Sequence, residues 1–131
     1  MRRVLIAMVA GVGILGPVSA GLTYDEASCA ACQATYSFCR TRVSGYYQNC
    51  MNNANSLWSS CVFDAYSWYA ICTAHPEIYG SSCDFVLSQK LMNCNCGRDY
   101  VDIPYCNNVV LGIGMQNCNS DQTRCQQAYC Y

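Results

Sequence analysis

Residues 39–94 read CRTRVSGYYQN CMNNANSLWSS CVFDAYSWYAI CTAHPEIYGSS CDFVLSQKLMN C, with a cysteine at every eleventh position: Cys39, Cys50, Cys61, Cys72, Cys83 and Cys94. At roughly 3.6 residues per turn, eleven residues are about three turns of an α-helix, so positions that far apart return to one face. In a strand the same odd step would alternate faces. Three more columns share the period. Three residues before the cysteines stand Tyr36, Tyr47, Trp58 and Tyr69; four after stand Val43, Ala54 and Ala65; seven after stand Tyr46, Leu57 and Trp68. Cysteine, small residue and two aromatics make one apolar stripe along a helix. The small residues admit a close partner helix, and the aromatics flank the contact. An eleven-residue stripe predicts a straight or slightly right-handed course.

Helix boundaries divide this pattern into two limbs. Thr23-Tyr24-Asp25-Glu26 reads as a capping box with acids in the positive first turn. His75 and Pro76 end limb one, which spans 23–75. Residues 76–82 form a turn, with Ser81 or Ser82 as the next cap. Limb two covers 83–131, with a break expected near 97–104, where Gly97 follows a helix end and Pro104 suits a first turn. Gly112 and Gly114 weaken the next piece, and Asn119-Ser120-Asp121-Gln122 reads as a fresh cap. Gly45 and Asn52-Asn53-Ala54-Asn55 are poor helix formers, so limb one is either one long helix or two joined by a bend.

Folding the chain at the turn makes the cysteines a mirror. Outward from it, one limb carries Cys72, Cys61, Cys50, Cys39, Cys32 and Cys29, and the other Cys83, Cys94, Cys106, Cys118, Cys125 and Cys130. The steps are 11, 11, 11, 7 and 3 against 11, 12, 12, 7 and 5. The summed positions of matched cysteines drift only from 155 to 159. A nearly constant sum is the signature of antiparallel pairing. The fold class is therefore all-α: an antiparallel helical hairpin, straight or bent into a small helical bundle, stapled by nested disulfides. The predicted rungs are Cys72–Cys83, Cys61–Cys94, Cys50–Cys106, Cys39–Cys118, Cys32–Cys125 and Cys29–Cys130. One cysteine is left over. Cys96 is the nominee for an unpaired or intermolecular thiol, with Cys94 the alternative.

Residues 1–20 read as a secretory signal peptide: Arg2 and Arg3, an apolar run from Val4 to Leu15, then Val18-Ser19-Ala20 before the cut. Residues 21–131 form a single cysteine-rich domain, with no membrane span expected in the mature chain. All 13 cysteines fall in it, a density typical of an exported disulfide framework. Without Arg2 and Arg3, five basic residues face eight acidic ones, which argues against nucleic-acid binding. The expected destination is extracellular, or periplasmic in a bacterium.

Other constellations carry less. Cys29-Ala30-Ala31-Cys32 matches a redox dithiol, but its setting is helical and lacks the usual βαβ frame. Many cysteines on exported helices resemble, in broad design, the bacterial copper-storage bundles, a resemblance that implies Cu(I) binding by thiolates. Those bundles repeat cysteine pairs one turn apart, whereas here only Cys29 and Cys32 stand so. The stapled-hairpin logic is similar to that of the twin-cysteine helical hairpins of the mitochondrial intermembrane space, which carry fewer cysteines at other spacings. Zinc-finger spacing is missing, and His75 is the single histidine, placed for helix capping rather than for a triad. Asp25 and Glu26 suit a cap, Asp64 lies mid-helix, and Asp99 and Asp102 lie in the expected break. No catalytic residue, cofactor or metal site is assigned.

The functional expectation is a secreted, disulfide-rich structural or self-associating extracellular module without catalytic activity. Its partner would be itself, through Cys96 or a low-charge surface. The alternatives are a secreted binding protein such as an effector, toxin or inhibitor, with an unknown protein target, and an exported Cu(I)-binding thiolate protein. Non-reducing peptide mapping of the oxidised protein is expected to recover the six nested pairs. Local pairs such as Cys29–Cys32 or Cys94–Cys96 would rule the ladder out.

Overall fold

The computed structural model describes residues 25–131; the predicted signal peptide and the Thr23 and Tyr24 positions of the predicted capping box lie outside them. Every element among the described residues is helical. Limb one is a single helix, α1 (Glu26–Ala74), of 49 residues. At about 1.5 Å per residue it is roughly 73 Å long. No break interrupts it at Gly45 or at the asparagine run. Propensity is a weak preference there, and cross-links at Cys39, Cys50 and Cys61 hold the flanking turns against limb two.

Asp25 caps α1. It accepts from the Ser28 amide at 3.4 Å and also from the Ser28 hydroxyl. Those two bonds hold its carboxyl below the usual range. The turn contains a short helix, α2 (Pro76–Tyr79), closed by Gly80 at φ 67°. That left-handed conformation favours glycine. His75 occupies the C-cap of α1, but its backbone N–H makes the capping bond to Cys72, while its Nδ1 faces Glu77 at 3.2 Å. Ser82 takes the N-cap position of α3 (Cys83–Cys96), but its side chain makes no cap bond; its hydroxyl donates back to the Tyr79 carbonyl.

The expected break at 97–104 is absent. Gly97 has helical φ −57° and ψ −51°, and the chain continues as a π-helical segment, Gly97–Asp102. After the short α4 (Ile103–Tyr105) a second π segment follows, Cys106–Ile113, and then α5 (Gly114–Tyr129). Pro104 lies in the first turn of α4 without ending the limb. No new helix starts at Asn119–Gln122, which lie inside α5.

The π segments have a simple cause. The steps Cys94 to Cys106 and Cys106 to Cys118 are twelve residues, facing steps of eleven on α1. On a regular α-helix the extra residue would swing the next cysteine about 100° round. A π turn holds one more residue than an α turn and absorbs it. One π segment lies within each twelve-residue step. The outermost step is wider by two, and there Cys130 simply leaves the helix at φ −107°, ψ −6°.

The core is a narrow seam. On α1 it consists of Cys32, Val43, Ala54 and Ala65, eleven residues apart, with Cys72; on limb two it consists of Cys83, Cys94, Cys106 and Cys118. No large aliphatic or aromatic side chain is buried among the described residues. Gly114 is required by this closeness, because a Cβ there would stand 2.8 Å from Cγ1 of Val43.

Deleting one residue of the first π segment, such as Tyr100, shortens the step to eleven residues and is expected to yield a regular α-helix with all six rungs kept. Its Tm should stay within about 5 °C of the parent, a shift worth roughly 1 kcal/mol. Deleting Asn53 from the facing step should scramble the disulfides. Peptide mapping with thermal unfolding checks both, and scrambling in the first deletion would refute the absorbed-residue account.

Candidate functional site

The site is built on the rungs. Six disulfides join the limbs: Cys29–Cys130, Cys32–Cys125, Cys39–Cys118, Cys50–Cys106, Cys61–Cys94 and Cys72–Cys83. Their Cα atoms stand 5.1–5.9 Å apart, inside the span a disulfide tolerates. Of the two candidates for the leftover cysteine, Cys94 closes the rung on Cys61, and Cys96 is free and exposed. Among the described residues no group of three or more His, Cys, Asp or Glu side chains is placed to hold a metal ion. No helix among them is long and apolar enough to cross a membrane.

A second ladder of hydrogen bonds runs beside the sulfurs. Tyr36 donates to Oδ1 of Asn119 at 2.8 Å, Trp58 Nε1 to Oδ1 of Asn95 at 2.8 Å, and Tyr69 to Oδ1 of Asp84 at 2.7 Å. Each donor stands three before an α1 cysteine, and each acceptor directly follows the cysteine it is bridged to. Tyr47 and Asn107 hold the matching places at the Cys50–Cys106 rung without that bond, and Asn107 lies in the second π segment. The aromatic column was visible in the sequence; the acceptor column was not recognised. Its signal was the polar residue after four successive bridged cysteines of limb two, Cys96 being passed over: Asp84, Asn95, Asn107 and Asn119.

The two ladders leave opposite edges of the seam in different states. The hydrogen-bonded edge is covered by half-buried aromatics. On the other edge the α1 cysteines reach the surface, with Cys39 and Cys50 half-buried and Cys61 exposed. Two open recesses lie along this edge, the larger reaching across the seam to Tyr36 of the hydrogen-bonded edge. The larger, of about 830 Å³, has Cys39, Cys118, Val43 and Gly114 along its lining. Phe38, Arg42 and Tyr46 border it on α1, and Tyr105, Val109 and Asp121 on limb two. Arg42 lies over Phe38 and Tyr46, 5.8 and 5.7 Å from the ring centroids, and donates to the Tyr46 hydroxyl at 3.0 Å. The smaller recess, about 410 Å³, is lined by Leu57, Asp64, Ala65, Lys90 and Asn93 beside Cys61 and Cys94. The sequence offered Asp64 only as a mid-helix acid and did not single out Arg42, Lys90 or Asp121 as site residues.

Chemically this edge is a shallow, mostly apolar trough with isolated charges and aromatic walls. The single imidazole, His75, lies elsewhere, exposed beside Glu77.

The Tyr69–Asp84 bond sets a pH dependence. Donation to the Asp84 carboxylate, and its negative charge, raise the Tyr69 phenol above its usual 10.0. The folded state thus holds that proton more tightly than the unfolded chain does. The bond's contribution is fully present below about pH 10 and is lost as pH rises through the higher folded value. Ultraviolet titration should show one tyrosine ionising late, and Asp84→Asn should return it toward the others; an unchanged titration curve would contradict the bond. No protein-family model, no curated protein and no solved structure matches this chain.

Proposed function

We propose that this chain is a secreted, disulfide-stapled structural module that acts by associating with copies of itself, without catalysis. The observation that carries the reading is the inverted use of its apolar residues. The seam takes only sulfur, alanine and valine, while Phe38, Leu57, Phe63, Phe85 and Tyr100 stand 64–80 % exposed. Scattered apolar side chains are ordinary on a protein surface, but grouped ones mark an association surface, and Phe38, Tyr46, Tyr105 and Val109 border a single recess. Few charges keep copies apart, since only 11 % of residues are Asp, Glu, Lys or Arg. Six cross-links suit an oxidising, extracellular destination.

Two other readings draw less support. The 830 Å³ recess is large enough to seat part of a ligand or peptide, which favours a binding protein as the second reading. A Cu(I) store needs several thiolates, and the oxidised chain retains one thiol, Cys96. That reading applies only to a reduced form.

Sedimentation of residues 21–131 across micromolar to millimolar concentration is expected to show reversible oligomers. Cys96→Ser should abolish any covalent dimer on a non-reducing gel while leaving the reversible species. A strict monomer throughout this range would defeat the self-association reading in favour of the binder.

A further inference from the structure

The two recesses lie on one face of the hairpin. Arg42 stands three residues after Cys39, and Asp64 three after Cys61. Both cysteines bridge to limb two, so both side chains hold the same relation to it. Arg42 borders the larger recess together with Asp121 of limb two. Asp64 borders the smaller together with Lys90. Each end of the face therefore carries one positive and one negative group, and the order is reversed between the limbs. The two ion pairs among the described residues, His75–Glu77 and Arg98–Asp99, use none of these four groups.

The spacing makes the face self-complementary. Residue 53 is midway between Arg42 and Asp64, and the midpoint of Lys90 and Asp121 falls between 105 and 106. The first midpoint lies three residues, about 4.5 Å, beyond Cys50 and the second beside Cys106, so both fall within one helical turn of the Cys50–Cys106 rung. A two-fold axis across the rod at that rung, in the plane of the face, sets a second copy antiparallel on the first. Arg42 then lies over Asp64 of the other copy and Lys90 over its Asp121, and each pair occurs twice, as an isologous interface requires. Phe38, Tyr46, Leu57, Tyr105 and Val109, 41–64 % exposed, border the same recesses and would be covered.

The area suffices. Residues 35–68 of α1 extend about 50 Å, and two helices side by side are about 20 Å wide, so the face offers roughly 1,000 Å². A stable complex of ordinary size needs about 800 Å² from each partner. We propose that this recessed face is the interface between two copies of the chain, packed antiparallel about a two-fold axis at the Cys50–Cys106 rung. The proposal rests on the self-association reading and adds the surface, the orientation and the pairing.

Charge reversal tests it in a Cys96→Ser background, with the disulfide map of each variant matched to the parent. Arg42→Glu alone places glutamate over Asp64 twice, and Asp64→Arg alone places two arginines together. Each should raise the dimer Kd at least about tenfold in sedimentation, because like charges facing across an interface are strongly unfavourable. Arg42→Glu with Asp64→Arg restores opposite pairs and should bring the Kd back to within about threefold of the parent. If the single variants dimerise like the parent, the interface lies elsewhere: this proposal falls and self-association stands. If Arg42→Glu is rescued by Asp121→Arg but not by Asp64→Arg, α1 lies over limb two and the antiparallel arrangement is wrong. A parent that stays monomeric overturns the self-association reading as well.

Discussion

Everything in this fold depends on holding two helices close enough for sulfur to bridge them at six levels. Cα atoms at the rungs stand 5.1–5.9 Å apart, which, with each Cα about 2.3 Å from its axis, holds the helix axes at an ordinary packing distance of at most about 10 Å over the whole rod. The residues that point straight into the seam between the rungs are small. Ala54 and Ala65 fill the seam between rungs, and Gly114 yields the space that Val43 occupies. Each rung also fixes rotation, so an extra residue between two rungs cannot be spread along the helix. It has to be stored locally. The two π segments of limb two are that storage, one in each twelve-residue step.

This explains how a two-helix protein can persist. A single hairpin buries little apolar surface against the entropy of ordering its residues. Here the seam contains no buried large side chain at all. Cross-links act mainly on the unfolded chain, each contributing about 2–4 kcal/mol when unstrained. Nested rungs share that effect, since a loop already closed by an inner bridge has less freedom left for an outer one to remove. The Tyr36, Trp58 and Tyr69 hydrogen bonds act on the folded side, orienting the limbs along the edge that the sulfurs leave uncovered.

The hairpin and its pairing were legible because cysteine position reports geometry directly: an antiparallel pair conserves the sum of matched positions. The same sums contained the π segments, as the drift from 155 to 157, but Gly97 and Pro104 suggested a broken helix instead. Local propensity lost to the rungs on both sides of Gly97, and Pro104 lies in continuous helical backbone directly after the first π segment, whose altered hydrogen-bond pattern accommodates it without ending the limb. The acceptor column of Asp84, Asn95 and Asn119 went unread for another reason. Asparagine is common throughout this chain, and only three-dimensional pairing separates the residues that bond across the seam from those that face water. The recess charges were hidden in the same way. Arg42 and Asp121 are far apart in sequence and border one recess because the Cys39–Cys118 rung joins their limbs, as Cys61–Cys94 does for Asp64 and Lys90.

Assigning stability to sulfur changes what the remaining side chains are for. In an ordinary small domain phenylalanine and leucine must be inside, because their burial supplies most of the folding free energy. Here the interior is too thin to admit them. Phe63, Phe85, Leu57 and Tyr100 lie outside at no cost to the ladder, yet each remains unfavourable in water. Surface of that kind gains when something covers it, and under the proposed association a rod with a regular repeat offers its own copy a matching surface. The eleven-residue period that aligns the cysteines also brings Arg42 and Asp64 onto one face at a spacing of two repeats. The constraint that closes the hairpin thus also patterns its outside, and the association proposed above draws on the same repeat that aligns the cysteines.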